Sequence, residues 1–157
     1  MIRHFAVAAV AACLAGAPVL AADPALLIGQ PEAAKSAAQL DLEAIKGLGS
    51  VTFETTTPWT DGKVVFEAVP GDKVAGLLGG AGTTVRATAL DEYSVDIPLS
   101  DFTSGKAHIA YAMNGEPLPE DQFGPFWIVY RYDSDPALTD EAHQARSIWQ
   151  LKSLTVR

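Results

Sequence analysis

Apolar and polar residues alternate with a period of two through much of this chain, in short runs separated by glycine, proline and asparagine. That period predicts strands with one buried face. Val51, Phe53 and Thr55 alternate with Thr52 and Glu54, and Lys63 to Val69 forms a second run. Thr84 to Ala89 places Val85, Ala87 and Ala89 on one side, and Tyr93, Val95 and Ile97 repeat the pattern up to Pro98. Ala107 to Met113 runs into Asn114-Gly115, a type I′ hairpin signal, with Glu116 to Leu118 opening the return strand. Phe126 to Tyr130 is continuously apolar, which predicts a strand covered on both faces. In Ile148 to Val156 the parity slips: Trp149 and Leu151 share one phase, Leu154 and Val156 the other. A bulge at Lys152-Ser153 reconciles them.

Helical spacing is confined to short pieces. Asp41 can cap one or two turns over Asp41 to Lys46, stopped by Gly47. Pro70-Gly71-Asp72 opens a second helix with Val74, Leu77 and Leu78 on one face, ended by Gly79-Gly80. Thr139 is placed to cap a third, with Asp140 and Glu141 in its positive first turn. About seven short strands with two or three short helices make a β-rich α+β domain with a single mixed sheet.

The first residues obey a different pattern. Arg3 precedes an apolar run from Phe5 to Leu14, Pro18 breaks it, and Val19-Leu20-Ala21 satisfies the small-residue rule. Residues 1–21 therefore predict a secretory signal cleaved after about Ala21, and not a membrane span. A minor alternative makes Cys13 the lipidated first residue of a lipoprotein. Residues 22–39, rich in alanine and proline, read as a flexible leader, with the domain occupying 40–157. The location implied is periplasmic or secreted.

Composition narrows the chemistry. Formal net charge is −8, with 19 acids against 11 lysines and arginines. Such a surface repels phosphate backbones and anionic lipid, which excludes nucleic acid as a partner. Cys13 is the single cysteine, so beyond the signal there is no thiol for a disulfide, a metal or a nucleophile.

Few residues cluster as chemistry requires. His108 and His143 have no histidine neighbour at ligand spacing. His108 and Met113 have opposite parity on a strand, which argues against an axial pair for haem. Asp133-Ser134-Asp135 lacks the glycine and terminal glutamate of a calcium loop. Gly79-Gly80-Ala81-Gly82 follows a helix, whereas a phosphate cradle precedes one. Thr55-Thr56-Thr57-Pro58-Trp59 stands out more, since three hydroxyls and an indole between two strands can line a polar pocket. Arg131 can hold an anion bidentately or pair with Asp133 or Asp135. Trp127 and Trp149 read as core residues.

Taken in order, Val51-Thr52-Phe53, Thr57-Pro58-Trp59-Thr60-Asp61-Gly62, Val74 to Leu78, Ala89-Leu90-Asp91-Glu92-Tyr93, Met113-Asn114-Gly115-Glu116-Pro117-Leu118, Gly124 to Tyr130 and Ser147 to Leu151 form a recognisable set. The chain resembles the molybdopterin-binding domain of the sulfite-oxidase fold, over about residues 40–157. The resemblance implies a mixed, mainly β domain, and in catalytic members a pyranopterin whose molybdenum is ligated by one cysteine thiolate in the loop after an early strand. The matching stretch here, about Glu54 to Pro58, has no cysteine. Threonine does not replace a thiolate, because its hydroxyl stays protonated.

The expectation is thus a non-catalytic ligand-binding or accessory module. Its pocket would use Thr55, Thr56, Thr57 and Trp59, with Asn114, Arg131 and Tyr132 beside them. Its partner would be a small anionic ligand, such as a pterin, or a segment of a periplasmic or membrane sensor protein. The alternative is a molybdopterin-dependent oxidoreductase with a cysteine-free cofactor site.

Overall fold

A computed structural model describes residues 25–29, 38–79 and 81–157. The expected signal sequence, Cys13 and most of the expected leader lie outside these residues. The described chain forms ten strands and four short α-helices in two five-stranded sheets, rather than about seven strands in one sheet. The α+β, β-rich reading holds.

The first sheet contains β1 (Ala25–Gly29), β2 (Ala38–Asp41), β5 (Thr84–Ala89), β6 (Ser94–Pro98) and β10 (Leu151–Val156), in the order β2-β1-β10-β5-β6. β1 pairs parallel with β10, Leu27 opposite Ser153, while the other pairs are antiparallel. Within the leader expected over 22–39, Ala25–Gly29 form a strand and Ala38 opens another, and Leu26 and Ile28 alternate with Leu27 and are fully buried. Five residues were too short a run to announce a strand among alanines and prolines. The bulge expected in β10 is present: its register against β5 shifts between Leu151 and Ser153. Leu151, Leu154 and Val156 are all buried as a result.

The second sheet is antiparallel. It runs β3 (Val51–Thr56), β4 (Lys63–Pro70), β7 (Ala107–Met113), with β8 (Glu116–Pro117) and β9 (Trp127–Tyr130) both paired to β7. Every residue of β9 is buried, as a continuous apolar run requires. Ile128 and Tyr130 face the larger core, which both sheets share; Trp127 and Val129 face a smaller one with Phe53, Phe66 and Ala110.

The helices close the ends. α1 (Leu42–Gly47) is capped by the Asp41 carboxylate, which accepts the Ala44 N–H at 2.8 Å. α2 (Gly71–Leu78) buries Val74 and Leu78 but leaves Leu77 exposed, contrary to the expected face. Gly71 is needed where it stands: a Cβ there would lie 2.7 Å from the Ala107 carbonyl oxygen. α3 (Leu99–Thr103) was not expected. α4 (Glu141–Arg146) is capped by Asp140, which accepts the His143 N–H at 2.8 Å, and not by Thr139, whose hydroxyl turns back to the Pro136 carbonyl. No described helix is long and apolar enough to cross a membrane.

Candidate functional site

The two sheets are stitched together where β9 runs beside the lead-in to β10. The Ile128 N–H donates to the Ile148 carbonyl at 2.9 Å, Leu151 N–H to Phe126 at 2.8 Å, and the Trp127 indole N–H to Ser147 at 3.1 Å. These bonds leave Trp149 on the outside, 37 % exposed, where core packing was expected. Trp127, fully buried, fulfils that expectation. Trp59, from the loop after β3, meets Trp149 edge-on at 5.6 Å between ring centres and Trp127 at 5.8 Å.

A cleft of about 410 Å³ opens at this seam. Its walls include Trp59, Trp149, Tyr93, Asp91, Ser147 and Gln144. A second, smaller cleft of about 210 Å³ is lined by Thr56, Thr57, Pro58, Tyr132, Thr139 and Gln144. Gln144 lines both, so the hydroxyl-bearing loop and the aromatic cleft are neighbours.

The threonine loop is held by mutual hydrogen bonds. Thr55 is fully buried; its hydroxyl accepts the Asp133 N–H at 3.1 Å and donates to the Thr56 carbonyl at 3.2 Å. Asp133 in turn accepts from the Thr56 hydroxyl at 2.5 Å and from the Thr56 N–H at 3.1 Å. The Thr56 hydroxyl bond is the largest influence holding the Asp133 carboxyl below the usual carboxylate range, and Lys63 adds to it. The Thr57 and Thr60 hydroxyls bond to each other at 2.8 Å, and Thr57 also accepts the Trp59 N–H.

Tyr132 lies behind this loop. Burial pushes its phenol up to about 12. Its hydroxyl is 2.5 Å from Ser147 Oγ, and Ser147 donates to the His143 carbonyl, so the phenol is the donor in the tyrosine–serine bond.

The other two expected residues lie elsewhere. Asn114 has φ +53° and Gly115 φ +84°, as a type I′ turn demands. The Asn114 side-chain oxygen accepts the Val65 N–H at 2.9 Å, which continues the pairing of β4 with β7 one residue past Met113. Arg131 does not pair with Asp133 or Asp135. Its guanidinium lies over the Phe53 ring at 4.8 Å, and its Nε has no hydrogen-bond partner among the described residues. His108 packs on the same ring at 4.7 Å, with Nδ1 3.1 Å from the Lys106 carbonyl. Burial, reinforced by the Arg131 charge, lowers the His108 imidazole to about 4.

Thr56, Thr57, Trp59 and Tyr132 thus line the paired clefts, Thr55 supports them from behind, and Asn114 and Arg131 do not reach them. Tyr93, Asp91, Trp149 and Gln144 were missed. Parity gave no sign that Trp149 leaves the core, since it shares its phase with buried Leu151; the left-handed Gln150 between them, φ +50°, breaks the alternation. Among the described residues no group of three or more His, Cys, Asp or Glu could hold a metal ion.

None of the curated proteins compared with the chain matches it. Among solved structures, the sulfane dehydrogenase SoxCD from Paracoccus pantotrophus is similar, with a TM-score of 0.55 at 14% identity. The match covers 85% of this chain but only 38% of that one, and it carries the fold alone. A model of the oxidoreductase molybdopterin binding domain matches residues 37–131. The fold and this match together make the chain a member of the oxidoreductase molybdopterin binding domain family.

Proposed function

We propose that this chain is a non-catalytic member of its family, working in the periplasm as a ligand-binding or accessory module. One observation carries the reading. In the stretch from about Glu54 to Pro58, where the resemblance puts a metal-binding thiolate, Thr55 lies buried near the end of β3 and its hydroxyl is engaged both as donor and as acceptor. A protonated, hydrogen-bonded hydroxyl offers molybdenum neither the charge nor the softness of a thiolate. The Thr56 hydroxyl donates to Asp133, and the Thr57 hydroxyl bonds to Thr60 and accepts the Trp59 N–H. The residues present therefore do not fit thiolate-ligated molybdenum.

The paired clefts supply what a binding module needs. A volume of about 410 Å³ falls in the range of small-molecule sites, about 300–1,000 Å³. Hydroxyls line one side and indole rings the other, both on loops braced by buried strands. A small molecule or a segment of a sensor protein would be recognised here without being transformed.

Metal analysis of the protein purified from its native periplasm tests the reading. Molybdenum far below one atom per chain is expected. Stoichiometric molybdenum would establish the cysteine-free oxidoreductase instead.

A further inference from the structure

We infer that the larger cleft receives a small organic cation, its methylated ammonium set against aromatic rings with the Asp91 carboxylate at the rim. The inference rests on the ligand-binding reading and names the class of ligand. It departs from the anionic ligand that the sequence suggested.

Charge is the first argument. Among the described residues, Asp91 is the one charged residue in the wall, and no lysine, arginine or histidine lines the cleft. Cations flanking this region are already engaged: Lys152 pairs with Glu92, and Arg146 pairs with Asp101 at 3.1 Å. The chain as a whole carries a formal −8. An anion entering here would meet a carboxylate and a negative field, with no cation to receive it.

Ring geometry is the second. Trp59 and Trp149 stand 73° apart with centres separated by 5.6 Å, which forms a corner, and Tyr93 completes the lining. The face of an aromatic ring carries partial negative charge, so such a corner attracts a cation. Methylation lets the cation shed its water at low cost. Tyr93 and Trp149 are 57 % and 37 % exposed, which leaves their rings accessible.

The Tyr93 and Trp149 rings each adjoin a residue of strained backbone. Glu92, just before Tyr93, has φ +69°, and Gln150, just after Trp149, has φ +50°. Neither is glycine, and left-handed residues of this kind concentrate where a ligand is clamped. Each is locked in place. Gln150 donates from its side chain to the Glu120 carbonyl at 2.8 Å, and its own carbonyl accepts the Leu90 N–H at 2.9 Å. Asp91 uses one oxygen to accept the Tyr93 N–H at 3.0 Å. The rim is thus organised before a ligand arrives, which lowers the ordering cost of binding.

Calorimetric titration of the purified full chain tests this with three probes: choline, its neutral carbon isostere 3,3-dimethylbutan-1-ol, and inorganic phosphate. Choline should saturate one site and bind at least about fivefold tighter than the isostere. Phosphate should give no saturable heat. Asp91→Asn, which keeps the oxygen facing the Tyr93 N–H, should weaken choline about threefold and leave the isostere unchanged. Trp149→Leu should abolish saturation by choline while the circular dichroism stays native. Equal affinity for choline and its isostere would overturn the inference, leaving an apolar site. So would no choline binding, or saturation by phosphate; neither result touches the non-catalytic reading. Stoichiometric molybdenum in the native protein would overturn that reading separately, whatever choline does.

Discussion

Thr55 and His108 show how much a single side chain owes to its surroundings. Thr55 read as a pocket hydroxyl, yet it ties β3 to the backbone after β9 through the Asp133 N–H. Thr55→Val keeps the shape and strands that donor, so a loss of about 1–2 kcal/mol is expected in urea unfolding. His108 is held neutral in the smaller core, with its pKa lowered to about 4 by burial and the Arg131 charge. The unfolded chain binds a proton near the ordinary value of 6.5, so between about 6.5 and 4 the unfolded state holds more protons. Stability should therefore fall as pH drops through this window and level off below it, a loss of about 2–3 kcal/mol from this residue. Unfolding free energies from pH 7 to pH 4 for the native chain and His108→Gln would check this. A slope unchanged by the substitution would refute it.

At the scale of elements, turns and caps carried more information than hydrophobic faces. Asn114-Gly115 predicted its hairpin because only residues tolerant of positive φ satisfy a type I′ turn. The asparagine does more than tolerate the turn, since its side chain also accepts the Val65 N–H. Asn114→Ala should cost about 1–2 kcal/mol, with Asn114→Gly recovering the backbone part of it, measured by thermal denaturation. The helix expected after Thr139 is α4, but its cap is Asp140, one residue later than expected. Thr139 and Asp140 are both good caps by type, and the 3-10 turn Pro136–Thr139 decides between them by taking the Thr139 hydroxyl. In α2, apolar Leu77 faces solvent because the helix packs through Gly71, Val74 and Leu78.

Across the whole molecule, the ends of the described chain meet in one sheet. β1 sits between β2 and β10, pairing parallel with the latter, and buries Leu26 and Ile28 in the shared core. Ile28→Ala should then cost about 2–5 kcal/mol in chemical denaturation, the range for emptying a filled core position. A cost near zero would restore the mobile leader. Long-range pairing also makes the clefts: Thr57 and Trp59 arrive from one sheet, Tyr93 and Trp149 from the other.

The sequence by itself determined the β-rich α+β class, the hairpin at Asn114-Gly115, the buried strand before Arg131 and the bulge at Lys152-Ser153. Each follows from local steric rules or from a period that only one backbone geometry can satisfy. It also determined that no thiol stands in the loop after β3. Tertiary structure alone decided that there are two sheets and that β1 belongs to the core. It also decided that Arg131 lies on Phe53, and that Trp149 joins Trp59, Tyr93 and Asp91 at a cleft. Those contacts join residues as distant in sequence as Leu27 and Ser153, and which of them meet depends on strand order and register, which a local pattern does not encode.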